Sequence, residues 1–296
     1  MEALRVLEEF HGRSYLEWLR RLCRLSPRYL DDGDTYVTPS SFHTVLASTA
    51  TLLEALKMLR NGFRVVVAAT RPPSHHAYRE PRGFCLAGCL AAALSSVLDY
   101  WGRIAILDID AHYGDGLAEA FYGDPRVLYI SLHQDPRTIF PYRGFPEEFG
   151  RGEGRGYTIN IPLPVGASDD EYEAALTTIV EPVIEEYDPD LLVVAYGSDA
   201  HWRDEISDLK ATTTTYYRVS VAVRRARRIL VVLEGGYEEW SLTRCLKVLL
   251  EGLVGRDPSV LEEPVRSPRD VSARMKRFIE RVLRVHREYW CSLRGV

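Results

Sequence analysis

Asp108-Ile109-Asp110-Ala111-His112 carries two carboxylates and an imidazole at alternate positions. Alternate residues of an extended segment face one way, so these side chains can reach one point. Oxygen donors mixed with a single nitrogen suit zinc, iron or manganese better than a thiolate set would. Asp199, at the end of a later apolar run, offers a further carboxylate. Asp110, His112 and Asp199 would make three protein ligands and leave a position open for water and substrate, the arrangement that catalytic zinc requires. The competing local readings are an acidic residue that caps the next helix and a turn aspartate bonded to its own backbone.

His75 and His76 follow Arg71-Pro72-Pro73-Ser74, a stiff segment that cannot continue a strand and so turns the chain. Paired imidazoles there can serve as general base, general acid or electrostatic stabiliser once carboxylates orient them. Asp108 and Asp115 are the spare carboxylates for that task. Tyr237 follows Gly235-Gly236, whose glycines permit a tight turn that presents the next side chain inward. A phenol in that position can donate to a developing oxyanion.

Each of these groups lies at the end of a short apolar run. The runs at 65–69, 104–107, 127–130, 191–195 and 229–233 are mostly β-branched, bounded by turn residues and separated by helical patterns, as the strands of a parallel sheet are. Ligands bind at the carboxyl ends of such strands, so the five ends predict one shared site. The expected fold class is α/β, a three-layer α/β/α architecture with a mostly parallel central sheet. No linker or repeat divides the chain, which reads as a single domain over residues 1–296. Apolar periodicity predicts helices over 4–25, 41–59, 86–100, 170–187, 214–227, 241–252 and 271–292, with a Pro/Asp/Gly loop over 26–39. Two aperiodic stretches, 134–156 and 200–215, read as loops on the same rim, the first placed to wall a pocket.

The bulk composition narrows the function classes. A net charge of -5 argues against a nucleic-acid surface, and the basic run Arg224-Arg225-Ala226-Arg227-Arg228 reads as the last turn of a helix, where cations complement the dipole. No apolar stretch approaches the ~20 residues of a membrane span, and the N-terminus lacks a signal-peptide core, so a cytoplasmic location is expected. The cysteines, Cys23, Cys85, Cys89, Cys245 and Cys291, suggest no disulfide framework, and Cys85 and Cys89 read as buried thiols one turn apart on a helix. Asn61, Asn160 and Gln134 are the only side-chain amides, a depletion that points to a thermophilic source.

Taken together, these residues resemble the metal-dependent deacetylase family of histone deacetylases, acetylpolyamine amidohydrolases and acetoin-utilisation proteins, which has the arginase/deacetylase fold. The similarity runs from Phe10-His11 to Trp240. It is carried in family order by Arg71-Pro72-Pro73-Ser74-His75-His76, Gly83-Phe84-Cys85, Asp108 to Gly116, Ser131-Leu132-His133, Gly154-Arg155-Gly156-Tyr157, Asp199-Ala200-His201 and Leu233-Glu234-Gly235-Gly236-Tyr237. The resemblance implies one zinc ion held by Asp110, His112 and Asp199. It also implies His76 with Asp115 as general base and then acid, His75 with Asp108 as an electrostatic partner, and Tyr237 as the group polarising the amide carbonyl. Gly83, Phe84 and Phe140 would line an acyl-lysine tunnel, and a potassium ion would lie near Asp108, Asp110, His112, Ser131 and Leu132. The reaction implied is removal of acetyl groups from N-acetylated amines, acetyl-lysine or acetylpolyamine, by a zinc-dependent hydrolase. An apolar tunnel suits a methylene stem with a single polar amide.

Two departures from the family pattern stand out. The chain begins downstream of the usual N-terminal strand and His-Pro-Glu type segment, which would leave a sheet edge exposed and favour a homo-oligomer. Tyr113 stands where many relatives have a second histidine, a position outside the ligand pattern. The alternative functions are a two-manganese ureohydrolase of the arginase type, which needs a denser set of aspartates than Asp199-Ala200-His201 provides, and a non-catalytic acyl-amine binding module. The acidic Asp31-Asp32-Gly33-Asp34 cluster reads as a solvated loop, with reception of a cationic substrate as its functional alternative.

Overall fold

The computed structural model describes residues 1–295; Val296 and the side chain of Asp32 lie outside the described residues. Six strands form one sheet: β3 (Val65–Ala68), β4 (Ile104–Asp108), β5 (Val127–Gln134), β6 (Thr158–Leu163), β7 (Leu191–Tyr196) and β8 (Ile229–Leu233). Their order is β3-β8-β7-β4-β5-β6, and every pairing is parallel. The carboxyl ends of the strands therefore share one rim, as the five apolar runs predict. A separate antiparallel hairpin, β1 (Arg28–Leu30) with β2 (Thr35–Val37), lies within the predicted 26–39 loop. Strands of three residues are too short to show a period.

Side-chain alternation along each strand divides the interior into two cores. On one face Ala105, Leu107, Leu128, Ile130, Leu192, Val194, Ile229 and Val231 pack together, and on the other Ile104, Ile106, Val127, Tyr129, Leu191, Val193, Leu230 and Val232 do. The second face is covered by α1 (Glu2–His11), α2 (Arg13–Arg24), α3 (Ser41–Arg60), α4 (Cys89–Ser95), α5 (Leu98–Trp101) and α6 (Asp115–Phe121). The first is covered by α7 (Asp169–Ala175), α8 (Glu181–Tyr187), α9 (Thr213–Val223), α10 (Glu239–Leu253) and α11 (Arg269–His286), with a π-helical turn at Leu176–Val180 joining α7 to α8. Three layers result. No described helix is long and apolar enough to cross a membrane.

Several boundaries differ from the sequence expectations for identifiable reasons. The helix expected over 4–25 is broken at Gly12, which adopts φ 83. The helix expected over 86–100 begins only at Cys89. Cys85 instead exchanges backbone hydrogen bonds with Arg82, so the two buried thiols do not share a helix. The arginine run lies beyond the end of α9, where Arg227 pairs with Asp188 and Asp190. β6 has no counterpart among the five apolar runs because its Thr, Asn and Pro residues interrupt the apolar pattern, although every residue of it is buried.

Candidate active site

The central strands β4 and β7 deliver the metal-type ligands. Beyond β4 the chain turns around its own carboxylates: the Asp110 amide donates to Asp108 Oδ1 at 3.2 Å and the His112 amide to Asp110 Oδ1 at 2.9 Å. Asp199, beyond β7, accepts the Ala111 amide at 3.0 Å through Oδ1, which ties the two strand ends together. His112 Nδ1 then lies 2.9 Å from Asp199 Oδ2 and 3.2 Å from Asp110 Oδ1. The ligating atoms of Asp110, His112 and Asp199 all fall within 4.8 Å of one another. Asp108 does not join them; its Oδ2 faces His75 and accepts the Tyr129 hydroxyl at 2.8 Å.

The electrostatics of this cluster fit a divalent cation. Burial and the neighbouring Asp110 carboxylate push Asp199 up to about 7. Burial opposes charge on His112, yet its hydrogen bonds to Asp110 and Asp199 carry it up to about 10. Two buried carboxylates thus demand positive charge at their centre, and a buried charge is tolerated only when compensated. A proton on the imidazole or a metal ion can meet that demand, and metal binding to such a set displaces the proton. The donor set of two oxygens and one nitrogen suits zinc.

His75 and His76 reach the same place from the edge strand. The segment after β3 is held at the end of β8 by Glu234, whose carboxylate accepts the Ser74 amide at 2.6 Å, the Ser74 hydroxyl at 3.1 Å and the His75 amide at 3.2 Å. His76 Nδ1 lies 2.8 Å from Asp115 Oδ1, at the start of α6, and His75 Nδ1 lies 3.3 Å from Asp108 Oδ2. These are the two histidine–carboxylate pairs that the family resemblance implies. Their environments drive them apart. Burial works against charge on His75, but the carboxylates of Asp110, Asp108 and Glu234 hold its pKa well above the usual histidine value. Burial, with the His75 cation beside it, pushes His76 down to about 4. Their pKa values therefore shift in opposite directions.

A cavity of about 280 Å³ opens onto this centre, lined by His75, His76, Asp110, His112 and Tyr237 together with Gly83, Phe84, Ile139 and Phe140. Gly83, Phe84 and Phe140, the residues expected in a tunnel wall, all border this cavity. Gly83 is required by close approach: a Cβ there would lie 2.6 Å from His76 Cδ2 and 2.8 Å from Phe140 Cε1. Asp31 accepts the Gly83 amide at 2.7 Å and Thr35 the Phe84 amide at 3.1 Å, so Asp31 holds the pocket wall. Asp34 does line the mouth. The loop after β5 supplies Ile139 and Phe140, as its position predicts, and the loop after β7 supplies Ile206. Burial, with the carboxylates of Asp110 and Asp199, raises the Tyr237 phenol, which stays protonated and able to donate.

Of the remaining expected site residues, Ser131 stands opposite Asp108 in the β4–β5 register, with Leu132 next along β5. Both are fully buried. Tyr113 turns away, packing its ring against Tyr129 and His133. Besides Glu234, three residues that matter to the geometry escape sequence reasoning. Arg82 Nη1 pairs with Asp115 Oδ2 at 3.0 Å on the side away from His76. Arg71 donates to the Glu234 carbonyl at 2.7 Å and the Gly236 carbonyl at 2.9 Å. Asp204 accepts backbone amides from the Tyr237 turn. Arg71 and Glu234 fall inside recognisable motifs and could have been suspected, whereas Arg82 and Asp204 carry no local signal.

Comparison with known proteins agrees with this geometry. The family model described as "Histone deacetylase domain" matches residues 3–253. The chain is 36% identical over 302 residues to a "Probable deacetylase" of Archaeoglobus fulgidus, covering 95% of this chain and 82% of that protein. It is 30% identical over 299 residues to "Histone deacetylase 8" of Arabidopsis thaliana, covering 97% of this chain and 79% of the relative. The crystal structure of an "HDA15 HD domain" superposes with a TM-score of 0.88 at 26% identity, covering 98% of this chain and 82% of that one.

Proposed function

The chain belongs to the histone deacetylase family and is a deacetylase, and from that premise we propose that it hydrolyses N-acetylated primary amines, acetyl-lysine or acetylpolyamine, at the Asp110–His112–Asp199 cluster. The observation that carries this reading is convergence: a metal-type donor set, a carboxylate-paired histidine and a phenol meet at one largely apolar cavity.

Asp110, His112 and Asp199 would hold zinc, which when bound supplies Lewis acidity and makes a coordinated water a usable nucleophile near neutral pH. His76 takes the proton from the attacking water. Its Nδ1 is engaged by Asp115, so Nε2 is the free nitrogen, and burial keeps the ring neutral. The water oxygen adds to the acetyl carbonyl carbon and the carbonyl oxygen gains negative charge. Tyr237 donates to that oxygen, with His75, held by Asp108, beside it as an electrostatic partner. As the tetrahedral carbon collapses the C–N bond breaks, and His76 returns its proton to the departing nitrogen. Acetate and a free amine leave. Gly83, Phe84 and Phe140 would grip the methylene stem, and a potassium ion beside Asp108, Asp110, His112, Ser131 and Leu132 belongs to the same proposal.

The test is acetate release by zinc-loaded protein from a panel of acetyl-lysine peptides and acetylpolyamines, compared by kcat/KM, with bound metal counted in parallel. Turnover on at least one class with one zinc per chain is expected. No acetate from any member would end the proposal, and two metal ions per chain would favour ureohydrolase chemistry.

A further inference from the structure

We propose that Asp204 is a positioning residue for the oxyanion donor, fixing Tyr237 through its backbone; this rests on the role given to Tyr237 above. The problem it solves is mechanical. Tyr237 follows Gly235-Gly236, and Gly236 adopts φ 124, a conformation open to glycine that turns the chain just before the phenol. The Tyr237 side chain is half-exposed, and its hydroxyl makes no hydrogen bond to another described residue. Its ring meets the Phe84 ring, with centroids 5.7 Å apart, and the Arg71 guanidinium at 5.9 Å. With its hydroxyl unbonded, the phenol depends on the backbone that carries it for its direction.

Asp204 grips that backbone. Its Oδ2 accepts the Tyr237 amide at 2.7 Å and the Glu238 amide at 3.1 Å, and its Oδ1 accepts the Ile206 amide at 3.2 Å. Asp204 is 3% exposed, and its carboxylate pairs with no cation among the described residues, so its charge is met by backbone amides. Charge-assisted bonds to two successive amides are short and directional, and they fix the plane of the turn. The same carboxylate links the Tyr237 turn to the loop bearing Ile206, which lines the cavity. Asp204 touches no reacting atom; it acts through Tyr237.

The experiment is a double-mutant cycle on zinc-loaded enzyme with Asp204→Ala, Tyr237→Phe and the pair, using the best acetylated peptide as substrate. Tyr237→Phe should lower kcat by about 10²–10³, the range for a lost oxyanion donor. Asp204→Ala should lower kcat by roughly 10- to 100-fold with KM changed less than about threefold, and should add less than about threefold when Tyr237 is already Phe. If Asp204→Ala does not fold, Asp204→Asn takes its place, since it keeps the shape and one acceptor and should give a smaller loss with the same non-additivity. Equal losses in both backgrounds, a loss confined to KM, or an unchanged kcat would overturn the inference while leaving the function standing. Full kcat in Tyr237→Phe would instead overturn the role of Tyr237, and this inference with it.

Discussion

At the residue scale the site separates side chains that share a chemistry by giving them different surroundings. The pKa values of two adjacent histidines move in opposite directions, because the Asp110, Asp108 and Glu234 carboxylates act on His75 while His76 is buried beside it. Replacing His76 with Ala should therefore lower kcat by about 10²–10⁴ at unchanged zinc content, as expected for loss of a general base. Near-normal turnover in that variant would move the base elsewhere. Gly83 makes a different demand. With φ 54 and His76 and Phe140 packed against its Cα, Gly83→Ala must displace the base or the tunnel wall. Acetyl-lysine turnover should fall at least tenfold, by roughly 1.4 kcal/mol or more of transition-state binding, and unaltered kinetics would show the wall to be compliant.

At the element scale the strand ends bring the groups close, but connections between elements hold them there. Asp169, at the start of α7, is buried and accepts the Thr212 amide at 3.0 Å, the Thr215 hydroxyl at 2.6 Å and the Val265 amide at 2.8 Å. It anchors the far end of the loop that carries Asp204 and Ile206. Asp169→Ala leaves those donors unpaired, and a loss of about 3 kcal/mol or more in urea unfolding is expected. A loss below about 1 kcal/mol would mean that water or a shifted loop replaces the carboxylate. The strands and the longer helices are legible in sequence because a buried parallel strand has few compositional solutions. β6 and the β1–β2 hairpin are not, since their burial and pairing come from partners far along the chain.

At the scale of the whole molecule, buried histidines make stability depend on pH. The His11 ring stacks on Tyr15, and its Nε2 accepts the Gly88 amide at 3.0 Å, a bond that a protonated ring cannot make. Burial pushes His11 from 6.5 down to about 4. The unfolded chain binds that proton more readily across this window, so stability is complete above pH 6.5 and declines as pH falls toward 4. At pH 5 the loss from His11 is about 2 kcal/mol, and His11→Gln, which keeps an acceptor that does not titrate, should flatten the slope of urea stability between pH 7 and 5. Equal slopes in the two proteins would remove His11 as a source. The sequence by itself determined the α/β class, the shared rim and the residues Asp110, His112, Asp199, His75, His76 and Tyr237, because ligand and proton-transfer chemistry admits few residue types and these lie at strand ends. Only the tertiary structure decided that Asp31 braces the pocket wall and that Arg82, Glu234 and Asp204 hold the site in shape. Those are contacts between backbone groups and charges that lie 30 to more than 150 residues apart in sequence, and no local pattern records a partner that folding alone brings within reach.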